Sequence, residues 1–442
     1  MSGILIFDIG KTNKKAFLFD ESYTILWEKS VGLEEAADED GDPCEDLPGL
    51  ISWMKEVYEE VNAAYHVKAV NFSSYGATLV FLDGNGRVLT PLYNYLKAYP
   101  EELKKKFYAT YGGEDSFSKT AASPVLGSLN SGMLIYRLKH ERPQVFSRVK
   151  RILHLPNYLS FLFSGKKVTD LTSIGCHTNL WDFPRGQYHR WVGEEGVERF
   201  LAPLHAPDQP FLTESGAVVG IGLHDSSAAL IPYLKGCNEP FALISTGTWN
   251  ITLNPFNGEP LSTEELANDC LCFLKTDGTP LKASRLLAGL YHEQEATKIA
   301  RAFGVSPAHL LEMRYDPGIS TEPLSLENAR VENPVSGPER QWQNYKTCAQ
   351  AYHQLMADLV AWQKRSSDQI LKNAPVKKLF VDGGFGKSRI FMKMLSDAYP
   401  GTAVWTTEVP QASALGAALV LHDHWNSRPV PEDLIKRKQF SD

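Results

Sequence analysis

The stretch Ile4 to Asp20 reads ILIFDIGKTNKKAFLFD and constrains the fold more than any other. It is an apolar run, a polar turn with one glycine, and a second apolar run closing on aspartate. Two such runs joined by a short turn predict a β-hairpin. The first run delivers Asp8 at its end. Gly10 is expected to take backbone angles closed to other residues and to bring main-chain N–H groups near an anion. Lys11, Thr12 and Asn13 add donors. Asp8 repels phosphate unless a divalent cation stands between them. The stretch alone leaves two readings open, a phosphate-holding turn and an ordinary surface hairpin.

A second copy of this plan lies at Pro240 to Asn254, PFALISTGTWNITLN. Gly247 stands where Gly10 stands, flanked by Thr246 and Thr248. One glycine-containing hairpin is weak evidence, but two at corresponding places predict two related sheet domains. With 442 residues the chain exceeds one comfortable core, so two domains are also the length-based expectation. The boundary is placed at 236/237.

Between the hairpins, Tyr23 to Val31 reads as a third strand, Ala36 to Pro48 as an acidic surface loop, and Leu50 to Tyr65 as a helix with apolar residues at helical spacing. Val67 to Phe72 reads as a strand running into Ser73, Ser74, Tyr75 and Gly76, and Thr78 to Asp83 as another. Polar loops at the carboxyl ends of strands carry ligands in α/β folds, which makes Ser73 to Ala77 a candidate substrate edge. A simple turn is the competing reading. Glu101 to Thr110 reads as a helix, Gly112 to Ser131 as a cap or inserted loop, and Gly132 to Arg142, Val145 to Arg151 and Tyr188 to Phe200 as helical. In GLHDSSAA, Gly222 to Ala229, polar groups crowd the junction between an extended run and a small-residue helix. Asp225 there is either an N-terminal cap or a functional carboxylate with His224 beside it.

In the second half, Glu265 to Leu274 and Leu281 to Phe303 carry helical apolar patterns, Gly318 to Pro338 reads as a loop, and Tyr345 to Leu371 as a long helix. KLFVDGGFG, Lys378 to Gly386, is a strand ending on Asp382, Gly383 and Gly384 before a helix at Ser388 to Ala398. Glycines there leave room for a base or ribose. Val404 to Thr407 reads as a strand. Gln411 to Val420, QASALGAALV, reads as a small-residue helix that packs closely. Neither G-x-G-x-x-G nor G-x-x-x-x-G-K-[ST] occurs, so dinucleotide and P-loop readings fall away.

Composition narrows the partners. A net charge of -7 with no long Lys/Arg block gives no support for nucleic acid. No apolar run approaches a membrane span, and the amino terminus lacks a basic region before an apolar stretch, so a cytoplasmic protein is expected. The six cysteines read as reduced thiols, and Cys270 and Cys272 have no further ligands nearby that would make a zinc site.

Taken together, the chain resembles the FGGY carbohydrate kinases. The resemblance rests on FDIGKTNKK at Phe7–Lys15, GLHDSSAA at Gly222–Ala229, STGTWN at Ser245–Asn250, VDGGFGKS at Val381–Ser388 and QASALGAA at Gln411–Ala418, in that order across nearly the whole chain. It implies an α/β fold of two ribonuclease-H-like domains, of the actin/hexokinase-like superfold, flanking an interdomain cleft. Residues 1–236 would bind sugar and carry catalysis, and 237–442 would bind nucleotide. It implies ATP-dependent phosphorylation of a sugar or polyol with Mg2+ as cofactor. Asp225 would be the catalytic base, with Asp8 near magnesium. Lys11, Thr12, Asn13, Thr246, Gly247 and Thr248 would hold phosphate, and Gly383, Gly384 and Ser388 would line the adenosine pocket. Gly76, Ala77, His224 and Asp225 would meet the sugar.

The wording around His224 and Gly247 looks closest to the rhamnulokinase and L-fuculokinase branch, which implies a ketose: L-rhamnulose, L-fuculose or a pentulose. The loop Ser73 to Val80 carries no charge, unlike the Arg–Glu pair of glycerol kinases, and lacks the Gln-Gly-His wording of several ketose kinases. The expected partners are a sugar and ATP, with a homodimer as the base-rate assembly. The alternative is a sugar- or nucleotide-binding regulatory protein on the same fold that has lost the chemistry.

Overall fold

In the computed structural model, residues 1–214, 216–326, 340–372, 374–409 and 411–440 are described. The chain divides into two compact units. One comprises Met1–Gly236, Cys272–Pro280 and Pro410–Leu434, the other Cys237–Leu271, Leu281–Val409 and Ile435–Asp442.

The first unit is built on the opening hairpin. Ser2–Ile9 pairs antiparallel with Lys14–Phe19, which pairs antiparallel with Ile25–Val31. On its other side Ser2–Ile9 pairs parallel with His66–Ser74. That strand in turn takes Val218–Val219 and Leu223–His224, both parallel. Ile4, Leu5, Ile6, Phe7 and Ile9 are fully buried. Each such side chain contributes about 1.5–3 kcal/mol of transfer free energy, so the hairpin anchors the sheet. The helix Leu47–Ala64 covers one face with Leu50, Trp53, Met54, Val57 and Val61, and Phe7 stacks on Phe72 with centroids 5.9 Å apart.

The second unit repeats the plan. Phe241–Thr246 pairs antiparallel with Asn250–Asn254 and parallel with Lys378–Gly383, which pairs parallel with Ala403–Glu408. The helix Cys348–Leu371 supplies Tyr352, Leu355, Met356, Leu359 and Trp362 to its core.

Several expected elements are corrected. Glu265–Leu274 is not one helix: Thr263–Ala267 is helical, but Cys270–Leu274 is a strand with all five residues buried. A continuous apolar run has no periodicity that separates strand from helix. Likewise Pro280–Leu286 is a strand, and the helix begins only at Ala288. The 112–131 region contains a helix, Glu114–Ala121, whose short buried face is Phe117, Ser118 and Ala121. Val145 to Arg151 is not a helix, since Pro143–Phe146 forms a single turn and Arg151 opens a strand to His154. Tyr188 to Phe200 keeps only Arg190–Glu194 and a 3-10 turn. The acidic loop at 36–48 contains two short strands, Ala36–Ala37 and Pro43–Glu45, and the next helix starts at Leu47. The loop Gly318 to Pro338 lies outside the described residues from 327 onward. Among the described residues no helix is long and apolar enough to cross a membrane.

Candidate active site

Strand register assembles the site. Asp8 and Leu223 both pair with Ser73, while Ile9 and His224 both pair with Ser74. Three parallel neighbours therefore end at one level, and Asp225 follows as the first residue of the helix Asp225–Gly236. This is the carboxyl edge where α/β sheets bind ligands. Asp8, Ser73, Ser74, His224 and Asp225 are brought together there. Gly76 and Ala77 lie just beyond, Ala77 with a φ of 63°. A Cβ on Gly76 would stand 2.7 Å from Cys176 Sγ and 3.0 Å from His224 Cδ2, so only glycine fits this packing.

The two carboxylates share an electrostatic character. Desolvation raises Asp225 from 3.8 to about 6, against hydrogen bonds from the Ser226 backbone and hydroxyl. Its side chain is 36% exposed, so it remains reachable. Asp8 is also raised to about 6, mainly by desolvation. The Ser413 hydroxyl donates to Asp8 Oδ2 at 2.9 Å and opposes the rise, while the charge of Asp225 adds to it. His224 Nε2 lies 3.2 Å from Asp225 Oδ1. Burial pushes that imidazole down to about 3, so it is neutral and leaves the Asp225 charge unmatched.

A buried polar network sets His224. Asp170 caps the turn Leu171–Ile174 and accepts from Thr172 N at 2.8 Å and from the Thr172 hydroxyl. Thr172 Oγ1 accepts from His224 N at 3.1 Å. Asn157 donates to Asp170 Oδ1 at 3.2 Å and to Ile221 O at 3.1 Å. Sequence reasoning passed over Asn157, Asp170 and Thr172. The run Leu155–Pro156–Asn157 was their one signal, a helix start carrying a polar residue that is 1% exposed. Tyr95 was missed too: burial raises its phenol, and the charge of Asp225 adds to the rise. Ser413 sits in a helix expected only to pack. That helix, Ala412–Leu419, does pack, for a Cβ on Gly416 would lie 1.8 Å from Ala228 O.

The turn residues separate by role. Gly10 does not adopt a left-handed φ, contrary to expectation. Its N–H donates to Asn13 O at 3.0 Å and a Cβ would press on that oxygen, so its smallness serves turn closure. Thr12 and Asn13 are exposed, and Lys11 is ion-paired with Glu35. In the second unit Gly247 and Thr248 are exposed at the hairpin tip. Thr246 is buried: its hydroxyl donates to Asp382 O at 2.6 Å and accepts from Phe385 N at 3.1 Å. Gly383 has a φ of 86°, and a Cβ would meet Thr246 O at 1.9 Å, so the fold itself demands it. Gly384 is exposed, and a Cβ there would meet nothing within 4 Å. Ser388 caps the helix Arg389–Ala398 by accepting from Phe391 N at 3.3 Å. Sequence reasoning missed Gly289, where a Cβ would meet Gly247 O at 1.9 Å.

A hard divalent cation fits Asp8. The carboxylate is desolvated, and among the described residues no Lys or Arg nitrogen is found within 4.0 Å of it. Its oxygens are the ligand type that Mg2+ takes.

Residues 3–195 match the model for the FGGY family of carbohydrate kinases, N-terminal domain, and residues 238–429 match the carbohydrate kinase FGGY C-terminal domain. The rhamnulokinase of Mannheimia succiniciproducens is 24% identical over 285 residues, which are 59% of this chain and 56% of that protein. The chain spans about half the length of the curated relatives it matches. Among solved structures, a carbohydrate kinase from Novosphingobium aromaticivorans superposes with a TM-score of 0.77 at 21% identity, covering 99% of this chain and 94% of that one. A ligand-bound xylulose kinase from Lactobacillus acidophilus does so with a TM-score of 0.79 at 14% identity, covering 99% and 93%. Likeness at this identity carries the two-domain α/β fold.

Proposed function

Because the chain belongs to the FGGY family of carbohydrate kinases, we propose that it transfers the γ-phosphoryl group of ATP to a hydroxyl of a ketose. The observation that carries this reading is the register that brings Asp8 and Asp225 to one sheet edge, each raised to about 6. A base must sit near the operating pH to accept a hydroxyl proton, and Asp225 is ionised above about 6. In this reading Asp225 takes that proton as the sugar oxygen attacks the γ-phosphorus. The new O–P bond forms, the bond to the β–γ bridging oxygen breaks, and ADP leaves. The neutral His224 lies beside Asp225 Oδ1 and, with Gly76 and Ala77, meets the sugar. Asp8 would hold Mg2+, which supplies charge neutralisation on the phosphates.

Thr12 and Asn13 of the first unit, with Lys11 once released from Glu35, offer donors to phosphate. In the second unit Gly247 and Thr248 offer exposed main chain to phosphate, and Gly384 an open surface to the nucleoside. Thr246, Gly383 and Ser388 act by shaping that surface. Residues 1–236 would thus carry sugar binding and catalysis and residues 237–442 nucleotide binding. The exceptions are segments 272–280 and 410–434, which belong to the first compact unit. The uncharged loop Ser73 to Val80 and the names of the relatives favour L-rhamnulose and similar ketoses as acceptors. The test is an ATP-dependent screen of L-rhamnulose, L-fuculose, the pentuloses and glycerol, reading which sugar phosphate forms. Nucleotide binding without any product would instead favour the regulatory alternative.

A further inference from the structure

We propose that Cys176, His177 and His224 form a binding site for a thiophilic divalent cation, Zn2+ in class, beside Asp225 and distinct from the Mg2+ role of Asp8. One ligating atom from each of the three residues lies within 4.8 Å of the others, and all three side chains are largely buried. A tetrahedral zinc with sulfur at about 2.3 Å and nitrogen at about 2.0–2.1 Å holds its ligands within that limit.

The imidazoles are already oriented as metal ligands are. His177 Nδ1 lies 3.0 Å from Leu129 O, a carbonyl that can only accept, which makes Nδ1 the protonated nitrogen. His224 Nδ1 lies 3.4 Å from Ser227 Oγ, and that hydroxyl donates to Leu274 O at 3.2 Å. Ser227 therefore accepts from Nδ1. Each ring has its Nδ1 held by a protein acceptor, the outer support typical of metal-bound histidine. The His224 Nε2 lone pair then faces Asp225 Oδ1 at 3.2 Å. Two acceptors at that distance call for a proton or a cation between or beside them. Cys176 Sγ completes the set, against Gly76, where no side chain intrudes.

The donor set selects the ion. One thiolate and two imidazoles favour Zn2+ and its soft neighbours, whereas Mg2+ takes oxygen ligands. Binding replaces the thiol proton with the metal and releases that proton to solvent. A dication there attracts the Asp225 carboxylate, withholds it from a hydroxyl proton, and covers the floor beside Gly76. Zn2+ is therefore an inhibitor competitive with sugar. This inhibitory consequence rests on the kinase reading, and metal binding does not.

The test uses the full chain and Co2+ as a spectroscopic probe. One equivalent should give visible d–d bands of tetrahedral cobalt and a near-ultraviolet thiolate charge-transfer band, both bleached by Zn2+. Cys176→Ser should lose the charge-transfer band. His177→Asn, which suits the φ of 44° there, should weaken cobalt binding by at least about tenfold. Circular dichroism identifies a variant that has not folded, and the wild-type spectrum stands regardless. No charge-transfer band in the wild type, or a band that survives Cys176→Ser, overturns the site. In turnover assays at fixed Mg2+, Zn2+ should raise KM for sugar, with Cys176→Ser relieving the effect. Cobalt binding with turnover unmoved by Zn2+ keeps the site and overturns its inhibitory consequence.

Discussion

The Ser413 hydroxyl donates to Asp8 Oδ2 at 2.9 Å, although the two residues stand at opposite ends of the chain. The bond ties the helix Ala412–Leu419 to the opening strand at the level where Asp225 begins its own helix. It is the principal interaction holding Asp8 toward its charged form against desolvation. A hydrogen bond to a charged group contributes about 1.5–3 kcal/mol. Ser413→Ala should therefore raise the Asp8 pKa by roughly one unit and shift the Mg2+ dependence of turnover to higher concentration. The check is a Mg2+ titration of activity at pH 7. An unchanged midpoint would separate Asp8 from the cation.

Asp8 also carries a stability consequence. Its folded pKa of about 6 lies above the ordinary 3.8, so between these values the folded state binds more protons than the unfolded state. Its contribution to stability is present at low pH and is lost as pH rises through this window. Asp8→Asn removes the desolvated charge. The variant should melt above wild type at pH 7 while losing activity, and the difference should fade below about pH 4. Calorimetry across pH checks this, and equal melting temperatures at pH 7 would refute it.

Activity should follow the same groups. If Asp225 must be ionised, kcat/KM falls as pH drops below about 6, near the value set by its desolvation. The limb should steepen where Asp8 protonates as well. A flat profile down to pH 5 would exclude both carboxylates from the rate.

Adjacent glycines in the second unit should behave oppositely. Gly383→Ala forces a side chain onto Thr246 O and into a φ of 86°, and should cost roughly 1–3 kcal/mol of stability. Gly384→Ala meets nothing within 4 Å and should leave stability nearly unchanged. If the nucleoside lies on that surface, the same variant raises KM for ATP. Thermal melts paired with ATP kinetics separate the two effects.

Much of the fold could be read from local pattern. The paired hairpins were legible because buried apolar runs bracketed short polar turns, and Asp225 because polar residues crowded a strand-to-helix junction. Cys270–Leu274 was misread because five consecutive buried apolar residues show no face. Glu114–Ala121 was missed because so short a helix buries few residues. Within the site, Asp8, His224 and Asp225 were visible at element ends. Ser413, Asp170, Thr172, Tyr95 and Cys176 were not, since each reaches the site from a remote segment through register or packing. Gly10 and Gly383 were legible as glycines, but their cause is close backbone approach: turn closure at Gly10, and the Thr246 carbonyl at Gly383.

The most direct measurement is single-turnover phosphoryl transfer by Asp225→Asn with the sugar the screen identifies. The amide keeps the shape and accepts no proton at neutral pH. Transfer should fall by about 10²–10⁴ while ATP binding stays close to wild type. Transfer at the wild-type rate would contradict the assignment of Asp225 as the base.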